Sequence, residues 1–172
     1  LGYKSNKICF IRYPRGYASK LKSSAVKFGK SVEFKKGKKL VFLCFGPLIE
    51  NVIPIAEKYN YAVINMRFAK PIDQDLILAA AKKYKYIVTI EDNTIAGGAG
   101  SSVLELLSKN NIQIKTLVLG YSDEFSEHGS QEEIHKNLNL DTQSIENKIV
   151  NFYNIISKRN KYAYDYKQRN FP

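Results

Sequence analysis

The chain alternates short β-branched apolar runs with segments whose apolar residues recur at helical spacing, and this alternation predicts its elements. Residues 40–45 (Leu-Val-Phe-Leu-Cys-Phe) are continuously apolar, as a strand covered on both faces must be, and Gly46-Pro47 ends the run. Leu48, Val52, Ile55, Ala56 and Tyr59 then keep helical spacing, with Pro54 inside predicting a kink or a division into two pieces. Residues 61–65 form the next strand. Asp73 is placed to cap a helix through about residue 84, with Asp75 in its first turn and Leu76, Ile77, Ala80 and Ala81 on one face. A strand over 86–90 follows, then a helix carrying Val103, Leu104, Leu106 and Leu107 to about residue 109, then a strand over 112–119. Ser130-Gln131-Glu132-Glu133 has the form of a capping box, and Asp141 opens a longer helix with Ile145, Ile149, Phe152 and Ile156 spaced for packing.

The flanks are less regular. Residues 7–13 read as an apolar strand that ends in Arg12-Tyr13-Pro14-Arg15-Gly16, and 17–39 as a Lys-, Ser- and Gly-rich linker over a surface. Within that linker, 31–34 can close a short hairpin with the strand from Leu40. Beyond residue 157 the tail is basic and tyrosine-rich without apolar periodicity, which predicts a segment that is mobile or docked on a partner. The order β, α, β, α, β, α, β, α predicts a three-layer α/β fold: an open, mostly parallel sheet with helices on both faces.

The stretch from Tyr86 to Leu107 places a polar and then glycine-rich loop at the carboxyl end of a strand, where open α/β sheets put ligands or partner surfaces. Gly97, Gly98 and Gly100 invite a phosphate-loop reading, but Val103 stands where a third spaced glycine is needed and no Lys-Ser/Thr follows. The loop is therefore read as structural or as a domain contact. Glu91-Asp92 is the only acidic pair at a ligand-like position, and adjacent strand residues face opposite ways, so the two make a poor acid–base couple. His128 lies in an acidic, aromatic loop over 120–129, where a proton-shuttle role competes with the commoner hydrogen bond to a neighbouring domain. Arg12 and Arg15, near a strand's end, suit a phosphorylated ligand or else are solvated surface arginines.

Composition narrows the classes. The 172 residues suffice for one α/β domain with some excess, and the first residue, Leu1, suggests a piece of a longer protein. No apolar run approaches the roughly 18–20 residues that span a bilayer. The two cysteines, Cys9 and Cys44, both sit in apolar runs, which favours buried reduced thiols over a disulfide or a zinc site. A net charge of +11 raises nucleic acid as a partner, yet the basic residues are mostly lysines, with arginine only at 12, 15, 67, 159 and 169. That bias fits a Lys- and Asn-rich surface better than base or phosphate recognition, so neither nucleic acid nor membrane is expected as a partner.

Several segments together resemble one family. Arg12-Tyr13-Pro14-Arg15-Gly16, Gly29-Lys30, Met66-Arg67-Phe68-Ala69-Lys70-Pro71-Ile72-Asp73, Glu91-Asp92-Asn93 with Gly97-Gly98-Ala99-Gly100-Ser101, and His128-Gly129-Ser130-Gln131-Glu132-Glu133 follow in order the last third of the 1-deoxy-D-xylulose-5-phosphate synthases. The resemblance covers about residues 7–150 and implies a transketolase C-terminal domain-like fold over 40–156. It implies that residues 1–16 end a preceding pyrimidine-binding domain, that 17–39 is a linker and that 157–172 is a tail. The family uses thiamine diphosphate with magnesium to join a two-carbon unit from pyruvate to glyceraldehyde 3-phosphate. The cofactor-binding domains would precede residue 1, so no cofactor, metal or catalytic residue is expected on this piece, which would be inactive alone. The resemblance maps the substrate-phosphate arginine onto Arg15, leaves Glu91, Gly97, Gly98 and His128 to packing between domains and subunits, and implies a homodimer in a bacterial cytoplasm or a plastid of the apicoplast type. Two rivals stay open: the same domain of another thiamine-dependent enzyme, such as a transketolase or a 2-oxoacid dehydrogenase β chain, and a free-standing basic interaction domain.

Overall fold

The structure is a computed structural model that describes residues 1–13, 24–125 and 128–170, with side chains described through Ile156. In chain order its elements are β1 (Val32–Lys35), β2 (Leu40–Phe45), α1 (Ile49–Tyr59), β3 (Ala62–Asn65), α2 (Gln74–Lys83), β4 (Tyr86–Thr94), α3 (Ala99–Lys109), β5 (Lys115–Tyr121), α4 (Gln131–Asn137) and α5 (Thr142–Asn170). The sheet order is β1-β3-β2-β4-β5. β2 is parallel to β3 and β4, β4 is parallel to β5, and β1 alone runs antiparallel, against β3.

β2 is the axis because all of its residues are buried and it has a strand on each side. Its alternate side chains feed two cores, as a period of two requires. Leu40, Phe42 and Cys44 pack with Val52, Ile55, Ile145 and Ile149 of α1 and α5, while Val41, Leu43 and Phe45 pack with Ile77, Val103 and Leu107 of α2 and α3. The expected three-layer α/β fold is therefore present. The capping box is also present: Ser130 N–H donates to Glu133 Oε2 at 2.9 Å and Glu133 N–H to Ser130 Oγ at 3.3 Å. Asp141 caps α5 by accepting from Ser144 N–H at 3.1 Å.

Several expectations are corrected. Residues 31–34 form no hairpin with β2, because both edges of β2 are taken by β3 and β4; β1 instead pairs with the outer edge of β3 and so belongs to the sheet rather than to a 17–39 linker. The turn before β2 crosses the start of β3 so closely that a Cβ on Gly37 would stand 2.1 Å from the Tyr61 carbonyl carbon. The expected strand over 7–13 has no ladder partner among the described residues, and Ile8, Phe10 and Ile11 are 91%, 97% and 74% exposed. Cys9 is exposed with them, contrary to the expectation of a buried thiol; Cys44 is buried, and its burial pushes the thiol pKa up. α1 continues through Pro54 as one helix. β5 begins at Lys115 rather than residue 112, because Ile112 N–H closes the end of α3 on the Leu107 carbonyl at 2.9 Å.

The last helix runs on into the tail. α5 carries a helical backbone to Asn170, through the segment expected to be mobile or docked on a partner. A helix already nucleated and packed along its first half propagates cheaply through Lys-, Tyr- and Gln-rich sequence, since each added residue gains a hydrogen bond and needs no apolar stripe.

Candidate functional site

The carboxyl end of β4 is the polar centre of the domain. Glu91 and Asp92 are both within β4 and buried, at 2% and 7% exposure, and as strand neighbours they face opposite sides of the sheet.

Glu91 faces α3. Its Oε2 accepts from Ala99 N–H and its Oε1 from Gly100 N–H, each at 2.8 Å, so one carboxylate closes two of the unpaired amides at the helix start. The glycine-rich loop exists to permit this approach. A Cβ on Gly98 would lie 2.4 Å from Glu91 Oε2 and 2.3 Å from the Thr94 carbonyl, and Gly97 holds φ +68°, in the left-handed region. The place a nucleotide phosphate would take is filled by the protein's own carboxylate, which gives the structural reading of the loop its physical basis.

Asp92 faces the other side. Its Oδ1 accepts from the Tyr121 hydroxyl and lies 3.1 Å from His135 Nε2, while Arg12 Nη2 stands 3.6 Å from Oδ2 and Arg12 Nη1 donates to the Asp92 carbonyl. Burial, with the adjacent Asp92 carboxylate, pushes the Tyr121 phenol pKa well up, so the hydroxyl stays a donor. β4 supplies the carboxylate, the end of β5 the phenol and α4 the imidazole, each fixed by its own element. Arg12 comes from the extended segment ahead of the domain, and its side chain is 67% exposed against 10% for Asp92.

The motif after β3 holds the approach to β1. Asp73 Oδ2 accepts from Ser31 N–H at 2.8 Å, and Lys30 Nζ bridges Asp73 at 3.2 Å and Asp75 at 3.0 Å. Burial raises the Asp73 carboxyl, but the Ser31 amide and the Lys30 ammonium outweigh it and hold the pKa below its ordinary value. Asp73 thus stands at the N-cap position without the cap bond expected of it. Arg67, at φ +57°, donates to the Ala25 carbonyl at 3.1 Å and to Ser24 Oγ at 2.7 Å, and Phe28 stacks edge-on against Phe68.

Of the residues singled out from the sequence, Glu91, Asp92, Gly98 and Arg12 converge on the end of β4, and His128 is exposed in the loop before α4. Arg15 lies outside the described residues. His135 and Tyr121 were not expected in the site; the available signal was a histidine one turn into a helix whose start the capping box fixes, beside the half-buried Ile134 and Leu138. Among the described residues no group of three His, Cys, Asp or Glu side chains is placed to hold a metal ion, and no helix is long and apolar enough to cross a membrane.

The model of the transketolase C-terminal domain matches residues 29–145. The chain is 40% identical over 156 residues to a 1-deoxy-D-xylulose-5-phosphate synthase of Psychromonas ingrahamii, and 42% over 154 residues to that of Haemophilus influenzae. It is 44% identical over 154 residues to the synthase of Pasteurella multocida. Each match takes in 88% of this chain but only 25% of the relative, so the chain spans about a quarter of the curated proteins it resembles. A solved structure titled split gene transketolase, inactive beta4 tetramer, shares the fold with a TM-score of 0.69 at 24% identity, covering 77% of this chain and 45% of that one. With a mostly parallel five-stranded sheet and a family model matched over residues 29–145, more than half of its length, the chain belongs to the transketolase C-terminal domain family.

Proposed function

We propose that this chain is the C-terminal quarter of a thiamine-diphosphate-dependent synthase that condenses pyruvate with glyceraldehyde 3-phosphate to 1-deoxy-D-xylulose 5-phosphate. The observation that carries the reading is the 40–44% identity to proteins of that name over 88% of the chain. In that enzyme residues 1–16 end the preceding pyrimidine-binding domain, two such chains form a homodimer, and the setting is a bacterial cytoplasm or a plastid stroma.

The described residues do not fit the cofactor. The one glycine-rich loop is closed by Glu91 on Ala99 and Gly100, and the described carboxylates and histidines form no metal cluster. Thiamine diphosphate and magnesium, which supply the decarboxylation and two-carbon transfer in this family, belong to the earlier domains. The part of this chain is to bind and orient. Arg15 takes the substrate phosphate, because a guanidinium stays charged at any working pH and meets phosphate oxygens in pairs.

In the complete enzyme Arg15→Ala raises the KM for glyceraldehyde 3-phosphate far more than the KM for pyruvate; equal changes contradict the assignment. The 172-residue chain alone, given both substrates, thiamine diphosphate and magnesium, is expected to turn nothing over, since a piece without the cradle cannot preorganise the reacting groups. Measurable product from it contradicts the division of labour.

A further inference from the structure

We propose that the amino end of the parallel strands, opposite Glu91 and Asp92, is a docking face for an acidic protein. The inference stands apart from the synthase reading, because it uses the other end of the domain. Charge is divided between these two ends. Asp73, Asp75, Glu91, Asp92, Glu132 and Glu133 stand at the carboxyl ends of strands or at the starts of helices. The arginines whose side chains are described belong there too, Arg12 on Asp92 and Arg67 just after β3. The amino end carries lysines instead. Lys58, Lys82, Lys83 and Lys109 lie in last turns of helices, where a cation is expected in any case. Lys36, Lys38, Lys39, Lys85 and Lys115 have no such reason: they lie in the turn between β1 and β2 and at the starts of β4 and β5.

Backbone bonds set these five in a row. Lys38 N–H donates to the Asn60 carbonyl, ahead of β3, at 2.7 Å, and the Lys39 carbonyl accepts from Lys85 N–H at 2.8 Å. Lys115 is the ladder partner of Tyr86, the residue after Lys85. Neighbouring strands lie about 4.8 Å apart, so the row crosses the whole sheet over about 20 Å. All five lysines are exposed, and none forms an ion pair among the described residues. Lys39 stands at φ +63°, in the left-handed region where Gly or Asn is usual, so a lysine is kept there at a backbone cost. Of the carboxylates that approach this end, Glu146 is already held by Lys58 at 2.6 Å, and the exposed Glu57 is one charge against five.

The chemistry of the face selects the partner. Lysine is a compact, strongly hydrated point charge, and the row has no guanidinium fork to take phosphate oxygens in pairs or to read bases, which sets nucleic acid aside. A membrane surface is held by apolar insertion as well as by charge, and the apolar neighbours of the row, Leu40, Tyr84 and Tyr86, are buried or half-buried. A carboxylate-rich protein surface needs neither fork nor insertion, since opposite charge steers the encounter and fixes its register.

The test is the binding of fluorescent poly-L-glutamate to the complete enzyme, followed by anisotropy. The unaltered enzyme binds it at about 0.1 M salt and releases it at about 1 M. Lys38→Glu with Lys85→Glu weakens binding about tenfold or more, because two exposed attractions become repulsions. The control is Lys70→Glu with Lys136→Glu, which makes the same change of net charge at exposed positions of the other end and keeps binding within about twofold, being screened at this ionic strength. No binding by the unaltered enzyme, or an equal loss in the control, overturns the docking face. Duplex DNA or phosphatidylserine vesicles are the counter-probes. If this face holds either of them while poly-L-glutamate does not bind, the partner is a phosphate polyanion and the acidic-protein assignment falls. Turnover of pyruvate with glyceraldehyde 3-phosphate is no part of the readout, so failure of the synthase reading and failure of this inference are seen separately.

Discussion

The closure of α3 by Glu91 gives the most demanding test of the fold. Glu91→Gln keeps the shape of the side chain but replaces one acceptor oxygen with an NH2 group. The remaining oxygen can serve Ala99 or Gly100, not both, and the amide nitrogen then meets a buried N–H donor to donor. Hydrogen bonds to a charged group contribute roughly 1.5–3 kcal/mol each, and a buried donor left unpaired costs a similar amount. The helix start also loses a negative charge that, in partly buried geometry, stabilises it by up to about 2 kcal/mol. These overlap, so the change is about 3 kcal/mol, which for a chain of this size lowers Tm by about 6–12 °C. Thermal unfolding of the 172-residue chain followed by far-ultraviolet circular dichroism reads this directly. Glu91→Asp, whose carboxylate falls one methylene short of both amides, should lose at least as much. A Tm within about 2 °C of the parent for both variants would refute the closure.

The neighbouring glycines make a matched pair. Gly98→Ala drives a methyl into the Thr94 carbonyl and the Glu91 carboxylate and costs about 1–3 kcal/mol or more, whereas Gly97→Ala meets open space and bears only the left-handed backbone penalty of about 1–2 kcal/mol. Urea melts should rank Gly98→Ala as the less stable; the reverse order would sink the argument. Asp73 governs part of the acid limb. Its folded pKa lies below its unfolded value, so the unfolded chain binds the extra proton, and the stability it contributes is present above about pH 4 and lost as pH falls through the folded pKa. Asp73→Asn should therefore flatten the decline of Tm below about pH 4, and an unchanged acid limb would remove the Ser31–Lys30 latch from the account.

The layers were legible because burial on both faces leaves a continuous apolar run, as in Leu40–Phe45, and because helices on the two sides repeat their apolar residues every three or four positions. The capping box and Asp141 could be placed to the residue, since cap chemistry is local. What depends on distant neighbours was not legible. For β1, sequence proximity favours a hairpin with β2, while the open edge in space belongs to β3. Residues 8–13 carry strand composition but find no strand beside them among the described residues. At the site, the opposed directions of Glu91 and Asp92 followed from strand geometry alone. The meeting of Asp92 with Arg12, 80 positions away, and with His135, 43 positions away, followed from nothing local. Asp73 shows the same limit in reverse: a residue type and position that suit a helix cap were claimed by the Ser31 amide and the Lys30 ammonium.

The central claim is tested most directly by the reaction of the complete enzyme with carboxyl-labelled pyruvate and glyceraldehyde 3-phosphate in the presence of thiamine diphosphate and magnesium. The account predicts labelled carbon dioxide released one for one with 1-deoxy-D-xylulose 5-phosphate, and no release when the aldehyde is replaced by an unphosphorylated analogue. Turnover of a pair of sugar phosphates with no loss of label from pyruvate would contradict it and would make the chain the same domain of a different ketol-transferring enzyme.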